Sequence, residues 1–597
     1  MNFKRIIAAG LSCMLIFSMT GCNSNTNKQE TPSENIGNID NRNSDNKVDN
    51  TGISTEEILT LNADDMFTDR DKRNEYDAAS ATRITLSGES ITLPQEGCYI
   101  ITGFLNDGQI VIDAPDTTKI QLVLDNVSIN SNDNAPIFIK EADKVFITLA
   151  DGTNNTLTNG GTFVENEYNI DAVIFSKADL TLNGTGTLTI SSAGGHGIVS
   201  KDDLVITSGN YDITAASSAI SGKDSVRIAD GTFTLNSTKD GIHSENTDDT
   251  QKGFIYIADG TFDITAESDG LDATSTIQVE GGTFHLVTAD DAMHADSYLW
   301  IRDGVINAAK CYEGLEAQNI TVDGGTIDII ASDDGMNASG GNDGSGLGPG
   351  GGMDFPRGGN PPSEIPSGEL PSGEFPSMGE IPNSEFPSKN EAPTGDFFTH
   401  EDRFSSSNTS GITINGGIIT LKADGDGIDS NGSLTINGGE IYVEGSENGG
   451  NGALDYATSA IINGGIFVAM GQSAMAQNFG SDSTQCAMLV NTSSSLNAND
   501  IFTLTDATGA SIVTYTPSIR YNSVLISTPD IKTGASYTLT AGTENVSIEM
   551  TDTIYGSGMG AVGGFEGMGN MGGPQNHDNP GNRPDDMGGK PSMNPNQ

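Results

Sequence analysis

From Thr207 to Phe467, apolar and polar positions alternate in short bursts separated by glycine turns, and the bursts restart at intervals of about 22 residues. Aligned copies read TSGNYDI, ADGTFTL, ADGTFDI, EGGTFHL, RDGVINA, DGGTIDI, NGGIITL and NGGEIYV. Within a copy, an alternating strand such as Val226–Ile228 meets a glycine turn, then a second strand such as Thr232–Leu235, then another turn and a third short strand. Three short strands in each unit predict an all-β fold, a right-handed single-stranded parallel β-helix whose rungs bury their apolar faces only against their neighbours.

Alternation then predicts two inward columns. Tyr211, Phe233, Phe262, Phe284, Ile306, Ile327, Ile419, Ile441 and Phe467 stack in one. Ile213, Leu235, Ile264, Leu286, Ala308, Ile329, Leu421 and Val443 stack in the next. Around this array the composition shifts sharply. An N-terminal cap and the helix are expected over 61–340, a Pro/Ser/Glu/Gly-rich disordered insertion over 341–408, more helix over 409–480, and a small β cap or β domain over 481–555. Residues 22–60 read as a disordered tether and 556–597 as a Gly/Met/Pro-rich disordered tail.

Residues 1–21 carry Lys4 and Arg5, an apolar run and then Thr-Gly before Cys22, the layout of a secretory signal. The stretch resembles a bacterial lipoprotein signal with Cys22 as the lipidated residue, although Met19 stands where such signals usually have Leu. An ordinary cleaved signal and an uncleaved anchor are the alternatives, and all three place the remaining chain outside the cytoplasm. The expected location is extracellular, with contact to the cell membrane only through the N-terminal lipid. Cys98, Cys311 and Cys486 lie far apart and cannot all pair, so no disulfide framework is implied.

The chain holds 75 glycines and only 6% aromatic residues, which suits short strands and turns. With 28 basic against 81 acidic residues, the formal charge is -53. That balance argues against nucleic acid and anionic membranes as partners and favours cations, calcium first among them.

The turn after the second strand repeats an acidic-Gly-apolar-polar pattern at Asp240, Asp269, Asp291, Glu313, Asp334 and Asp426, with a second polar position three residues on at His243, Asp272, His294, Glu316, Asn337 and Asp429. Stacked at strand spacing of about 4.8 Å, these positions form two adjacent ladders. Two carboxylates at that distance repel by about 1 kcal/mol in water and roughly 3.5 kcal/mol at an effective dielectric near 20. A file of acids therefore calls for bound cations, protonation or splayed side chains. The candidate calcium ligands are Asp240, Asp269, Asp272, Asp291, Glu313, Glu316, Asp334, Asp426 and Asp429. The alternative is plain turn chemistry, Asp bonding its own backbone and Gly accepting positive φ. His243 and His294 suit hydrogen bonding or sugar contact better than a hard cation.

On the first strand the outward column reads Val205, Arg227, Tyr256, Gln278, Trp300, Thr321, Thr413 and Thr435. Arg227, Tyr256, Gln278 and Trp300 make a candidate platform for sugar rings, unless the inserted segment or the tail covers Trp300. No nucleophile-His pair or nucleotide loop stands out. One enzymatic route remains: a calcium-assisted polyuronate lyase with Lys239, Arg302 or Lys310 as base, although nothing singles one out.

Four stretches carry a wider resemblance: MFTDRDKRNEYD (66–77), RITLSGESITLPQEGCYIITGFLNDGQIVIDA (83–114), NAPIFIKEADKVFITLADGTNNTL (134–157) and the repeated GGTF…DDGM rungs. Over about 65–550, apart from the insertion, the chain resembles the bacterial extracellular carbohydrate-binding domain-containing β-helix proteins, similar in fold to pectate lyases. The resemblance implies a calcium-bearing right-handed β-helix that binds cellulose and acidic sugars such as polygalacturonate without established cleavage. The resulting expectation is a monomeric, surface-anchored, calcium-dependent polysaccharide-binding protein. Its competitors are a polyuronate lyase and a structural adhesin or spacer.

Overall fold

A computed structural model describes Leu59, residues 61–339 and residues 410–557. The expected signal, the lipidation site at Cys22, nearly all of the tether, the whole insertion and nearly all of the tail lie outside the described residues. No helix among the described residues is long and apolar enough to cross a membrane.

The repeating unit folds as the alternation predicts. One rung comprises Ser225–Ile228, Thr232–Ser237 and Ile242–Ser244. Each strand pairs in parallel with its counterparts one rung before and after: Val226 with Leu204 and Ile255, Phe233 with Tyr211 and Phe262, His243 with Ser221 and Asp272. The ladders continue without a register break from Asn319–Val322 to Gly411–Ile414, and from Met336–Ala338 to Ile428–Ser430. The insertion thus leaves and re-enters the solenoid between a third strand and the next first strand.

In-register stacking turns every sequence position into a column. None of the residues in the two expected inward columns is more than 2% exposed. In the first column the rings of Tyr211, Phe233, Phe262 and Phe284 lie nearly parallel, with successive centroids 5.1, 4.8 and 4.6 Å apart. The corner before this column demands glycine. Gly231 sits at φ 148°, and a Cβ there would lie 2.8 Å from Phe233 Cε2. On the outside of a similar corner, Asn437 donates to Asn415 Oδ1 at 2.8 Å and Asn463 donates to Asn437 Oδ1 at 2.9 Å. The Asn of the repeated Asn-Gly-Gly is therefore one step of an amide ladder.

At the C-terminal end the last rung strand, Ile466–Gly471, pairs antiparallel with Tyr521–Ser527, which pairs in turn with Ala487–Leu496. A separate four-stranded antiparallel sheet, spanning Phe502–Asp506, Ser511–Tyr515, Ser536–Ala541 and Glu544–Glu549, packs a second core around Phe502, Tyr521 and Leu539. Pairing the last rung in this way removes an open edge that would otherwise template aggregation.

The outward face of the first strands is not free. Leu59 and residues 61–73 run along it as a strap. Gln278 Nε2 donates to Leu61 O at 3.4 Å, Met66 and Leu61 pack on Tyr256, and Arg227 Nη1 donates to Met66 O at 3.3 Å. Farther along, Thr207 Oγ1 and Asn183 Nδ2 donate to Asp71 O, and the Arg70 guanidinium lies 4.0 Å above the Phe146 ring. Tyr256 and Gln278 are consequently 2% and 1% exposed. This corrects the expectation that both face solvent: their column is outward with respect to the rung, but an N-terminal segment covers it with Leu61 and Met66.

Asp71 anchors the strap. Its carboxylate accepts from Thr181 Oγ1 at 2.7 Å and from Thr68 Oγ1 at 2.6 Å, and pairs with Lys144 Nζ at 2.8 Å. Burial by itself raises the acid's value, but Lys144, Thr68 and Thr181 outweigh it and hold the group at about 2. A depressed folded value, set against about 3.9 in the unfolded chain, means that the carboxylate contributes about 2 kcal/mol above roughly pH 4 and loses this as pH falls through about 2. Asp71→Asn should therefore lower the urea-unfolding midpoint at neutral pH, and the difference from the parent should shrink towards zero near pH 2. A gap that stays constant with pH would contradict the assignment.

The ring column makes a second prediction. Phe262→Ala removes two of the three parallel ring contacts and should cost about 3–5 kcal/mol, read as a lower unfolding midpoint. Thr261→Ala, which alters an exposed position on the same strand, should move it by less than about 0.5 kcal/mol.

Candidate metal and glycan sites

The acidic turns stack through their backbones before any side chain is involved. Gly241 N–H donates to Asp269 O, Gly270 N–H to Asp291 O, Gly314 N–H to Asp334 O and Gly335 N–H to Asp426 O. The glycines serve this close approach rather than positive φ, which none of Gly241, Gly270, Gly314, Gly335 and Gly427 adopts. A Cβ at Gly314 would lie 2.2 Å from Gly335 O, and one at Gly427 would lie 2.1 Å from Val443 Cγ1.

Nor do these acids bond their own turns. Asp269 Oδ1 accepts from Asp291 N–H at 2.8 Å, Asp291 Oδ1 from Glu313 N–H at 3.2 Å, and Asp334 Oδ1 from Asp426 N–H at 2.6 Å. Asp426 caps Gly452 N–H in the same way. Four carboxylates of this first ladder thus clamp a backbone N–H of the following rung, while Asp240 accepts from Ser218 Oγ at 3.1 Å and Glu313 from Asn337 Nδ2 at 2.9 Å. One oxygen is used in clamping, and the other is left to face its neighbours.

The second ladder runs in register through His243, Asp272, His294, Glu316, Asn337, Asp429 and Asp455. Over its first four steps imidazole and carboxylate alternate, so it is not a plain file of acids. His243 Nδ1 lies 2.9 Å from Asp272 Oδ2 and 3.3 Å from Asp240 Oδ2. His294 Nδ1 lies 3.5 Å from Glu316 Oε2 and 3.7 Å from Asp291 Oδ2.

Burial dominates the electrostatics. Asp291 and Glu316 are 3% and 2% exposed, and Asp269 is 7% exposed. Burial first, then the neighbouring carboxylates, pushes Asp269 and Asp291 well above the usual carboxylate range and Asp334 up to about 8. For His243 burial works the other way, but its hydrogen bonds with Asp272 and Glu245 prevail and push it up to about 10. The acids resist ionising together, whereas the imidazoles are held charged by the acids around them.

Among the described residues, four groups bring potential metal ligands within 4.8 Å of one another: Asp240–His243–Asp272, Asp269–Asp272–His294, Asp291–His294–Glu316 and Asp269–Asp290–Asp291. Clusters of Asp, Glu and His in this ladder are thus arranged so that they could coordinate a metal ion. Only the last is built from oxygen alone, the donor set that calcium takes. Glu313, Asp334, Asp426 and Asp429 stand in the ladders but in none of the four groups. Asp290 had not been singled out from the sequence; the doubled acid Asp290-Asp291 was its available signal.

Beyond the strap, Trp300 is the next residue of the outward first-strand column and is half-buried. Its Nε1 donates to Asp323 Oδ2 at 2.8 Å, the Arg302 guanidinium lies 5.0 Å from its ring centre, and Tyr298 is 5.8 Å away at a tilt of 44°. Tyr298 OH in turn donates to Thr321 Oγ1 at 3.0 Å. The expected platform therefore divides: Tyr256 and Gln278 lie beneath the strap, Arg227 is tied to Met66 and Asp203, and Trp300 keeps company with Tyr298, Arg302 and Asp323. Arg302 lies on this face, paired with Glu280, whereas Lys239 and Lys310 are exposed.

A family model described as "Carbohydrate-binding domain-containing protein" matches residues 87–346, the rungs that carry most of both ladders and Trp300. A protein of that description from Acetivibrio thermocellus is 34% identical over 219 residues, a match covering 36% of this chain and 66% of the relative's length. Among solved structures, the gadolinium derivative of a polysaccharide lyase-like protein from C. thermocellum is similar at 30% identity and a TM-score of 0.35, over 37% of this chain and 95% of that one. Over residues 87–346 the chain is similar to the carbohydrate-binding domain-containing proteins.

Proposed function

We propose that the protein is a non-catalytic, calcium-dependent polysaccharide-binding protein held at the outer surface of the cell by its N-terminal lipid. The observation that carries the reading is the family match over the rungs that hold the ladders and Trp300. Trp300 supplies an aromatic face, and Arg302 and Asp323 supply the polar groups that fix a sugar's hydroxyls or carboxylates. Cellulose and polygalacturonate-type acidic glycans are the ligands to try first. Calcium suits Asp269, Asp290 and Asp291: two oxygens on opposite sides of a calcium ion stand about 4.8 Å apart, the span within which these donors gather. Bound there, calcium would neutralise carboxylates that burial otherwise keeps from ionising together.

Retention on cellulose and on immobilised polygalacturonate, measured with calcium and with chelator, tests this reading. Retention is expected with calcium, and chelation should reduce it. Trp300→Ala should weaken it by about fivefold, since stacking a sugar on a half-buried ring contributes of order 1 kcal/mol. No retention on any polysaccharide in either condition would reject the function. Release of ultraviolet-absorbing unsaturated oligosaccharides would replace it with a lyase.

A further inference from the structure

The three imidazole-containing groups are not equivalent. In the Asp240–His243–Asp272 group the imidazole nitrogen is hydrogen-bonded to Asp272 at 2.9 Å, which draws these two atoms closer together than two ligands of one ion stand. The Asp291–His294–Glu316 group is spaced more widely around its imidazole, and an ion there would displace the proton that Asp291 and Glu316 share in their own hydrogen bond. Its imidazole nitrogen stands 3.7 Å from one carboxylate oxygen and 3.5 Å from the other. Ligands about 2.1 Å from a tetrahedral zinc ion lie about 3.4 Å from one another. The group is therefore spaced for an ion of that size at its centre.

The far side of each ligand is held. Asp291 Oδ1 accepts from Glu313 N–H at 3.2 Å, leaving Oδ2 turned towards His294. Glu316 Oε1 accepts from Ser339 Oγ at 3.0 Å, leaving Oε2 turned the same way. The other imidazole nitrogen, Nε2, makes no hydrogen bond, but Asp296 Oδ1 stands 3.4 Å from it. A carboxylate behind a ligating imidazole fixes the ring and its tautomer in many metal sites. Three inward donors, each backed by a second contact and two of them on almost wholly buried side chains, constitute a preformed site.

We propose that Asp291 Oδ2, His294 Nδ1 and Glu316 Oε2 bind a borderline divalent ion of the zinc class, with a fourth position open to water. Imidazole with two carboxylates favours such an ion over calcium, which takes six to eight oxygens. The proposal deepens the metal reading of the ladder but does not depend on glycan binding, which is scored separately.

Cobalt(II) added to the full chain, without a polyhistidine tag and after chelator treatment, is the probe. One equivalent should bind with the intense visible bands of a four-coordinate ion, which zinc should displace and excess calcium should not. His294→Gln should abolish the bands, whereas His243→Gln should leave them. Should His294→Gln fail to fold, Asp296→Asn keeps all three ligands, alters a half-exposed side chain, and should weaken cobalt binding about 10–100-fold. Pale six-coordinate spectra, displacement by calcium, or bands unchanged in His294→Gln or, where that variant does not fold, in Asp296→Asn would each overturn the site. Polysaccharide retention surviving in His294→Gln would separate loss of this ion from loss of the glycan function.

Discussion

Everything in this solenoid follows from one constraint: successive rungs pair in parallel, in register, so each side chain stands directly over its counterpart about 4.8 Å away. Where the column is apolar, the constraint stabilises. Four aromatic rings lie nearly parallel in the core, and buried aliphatic residues continue their column. Where it is amide, Asn415, Asn437 and Asn463 hydrogen-bond in a line. Where it is carboxylate, the same spacing sets like charge on like, and the fold must resolve that by other means.

Three means are visible side by side. The first-ladder acids use one oxygen to clamp a backbone N–H of the following rung, which favours the ionised form. The second ladder places His243 and His294 between acids, so positive charge alternates with negative. Where neither suffices, carboxylates gather closely enough for an ion to complete the set. A buried acid cluster is costly without such compensation, so the ladder is a stretch of the fold where cation binding and rung stability are one free-energy balance.

Most of the solenoid was legible in the sequence because its strongest signal is periodic. Period two within a strand and about 22 residues between copies place Phe233 on Phe262, and Asp272 next to His294, before any coordinates. What escaped has no period. The strap touches Gln278 and Thr181 from positions more than a hundred residues away in sequence, and alternation can show that a side chain leaves its rung without showing what then covers it. The turn-chemistry alternative fails at glycine for a related reason: the acidic turns need a bare Cα because of the rung alongside, not because of their own φ. The partner of an imidazole likewise depends on which rungs are adjacent, which period alone gives, but also on distances that separate a hydrogen-bonded pair from a more widely spaced group.

The strap and the ladder constrain how an ion could influence glycan binding. His294 and Trp300 lie on one continuous strand, Met293–Ile301, and Glu316 and Thr321 lie on the next, Leu315–Val322. Six residues of extended chain span about 20 Å, and the pairing of these strands shifts register between Ala295 and Tyr298. A sugar ring stacked on Trp300 thus stands six residues along the chain from an ion held at His294, beyond that register shift. The strap confines the accessible part of the first-strand face to Trp300 and the rungs after it. A cation bound in the ladder would therefore act on that face through the shared strands, by holding adjacent rungs in register.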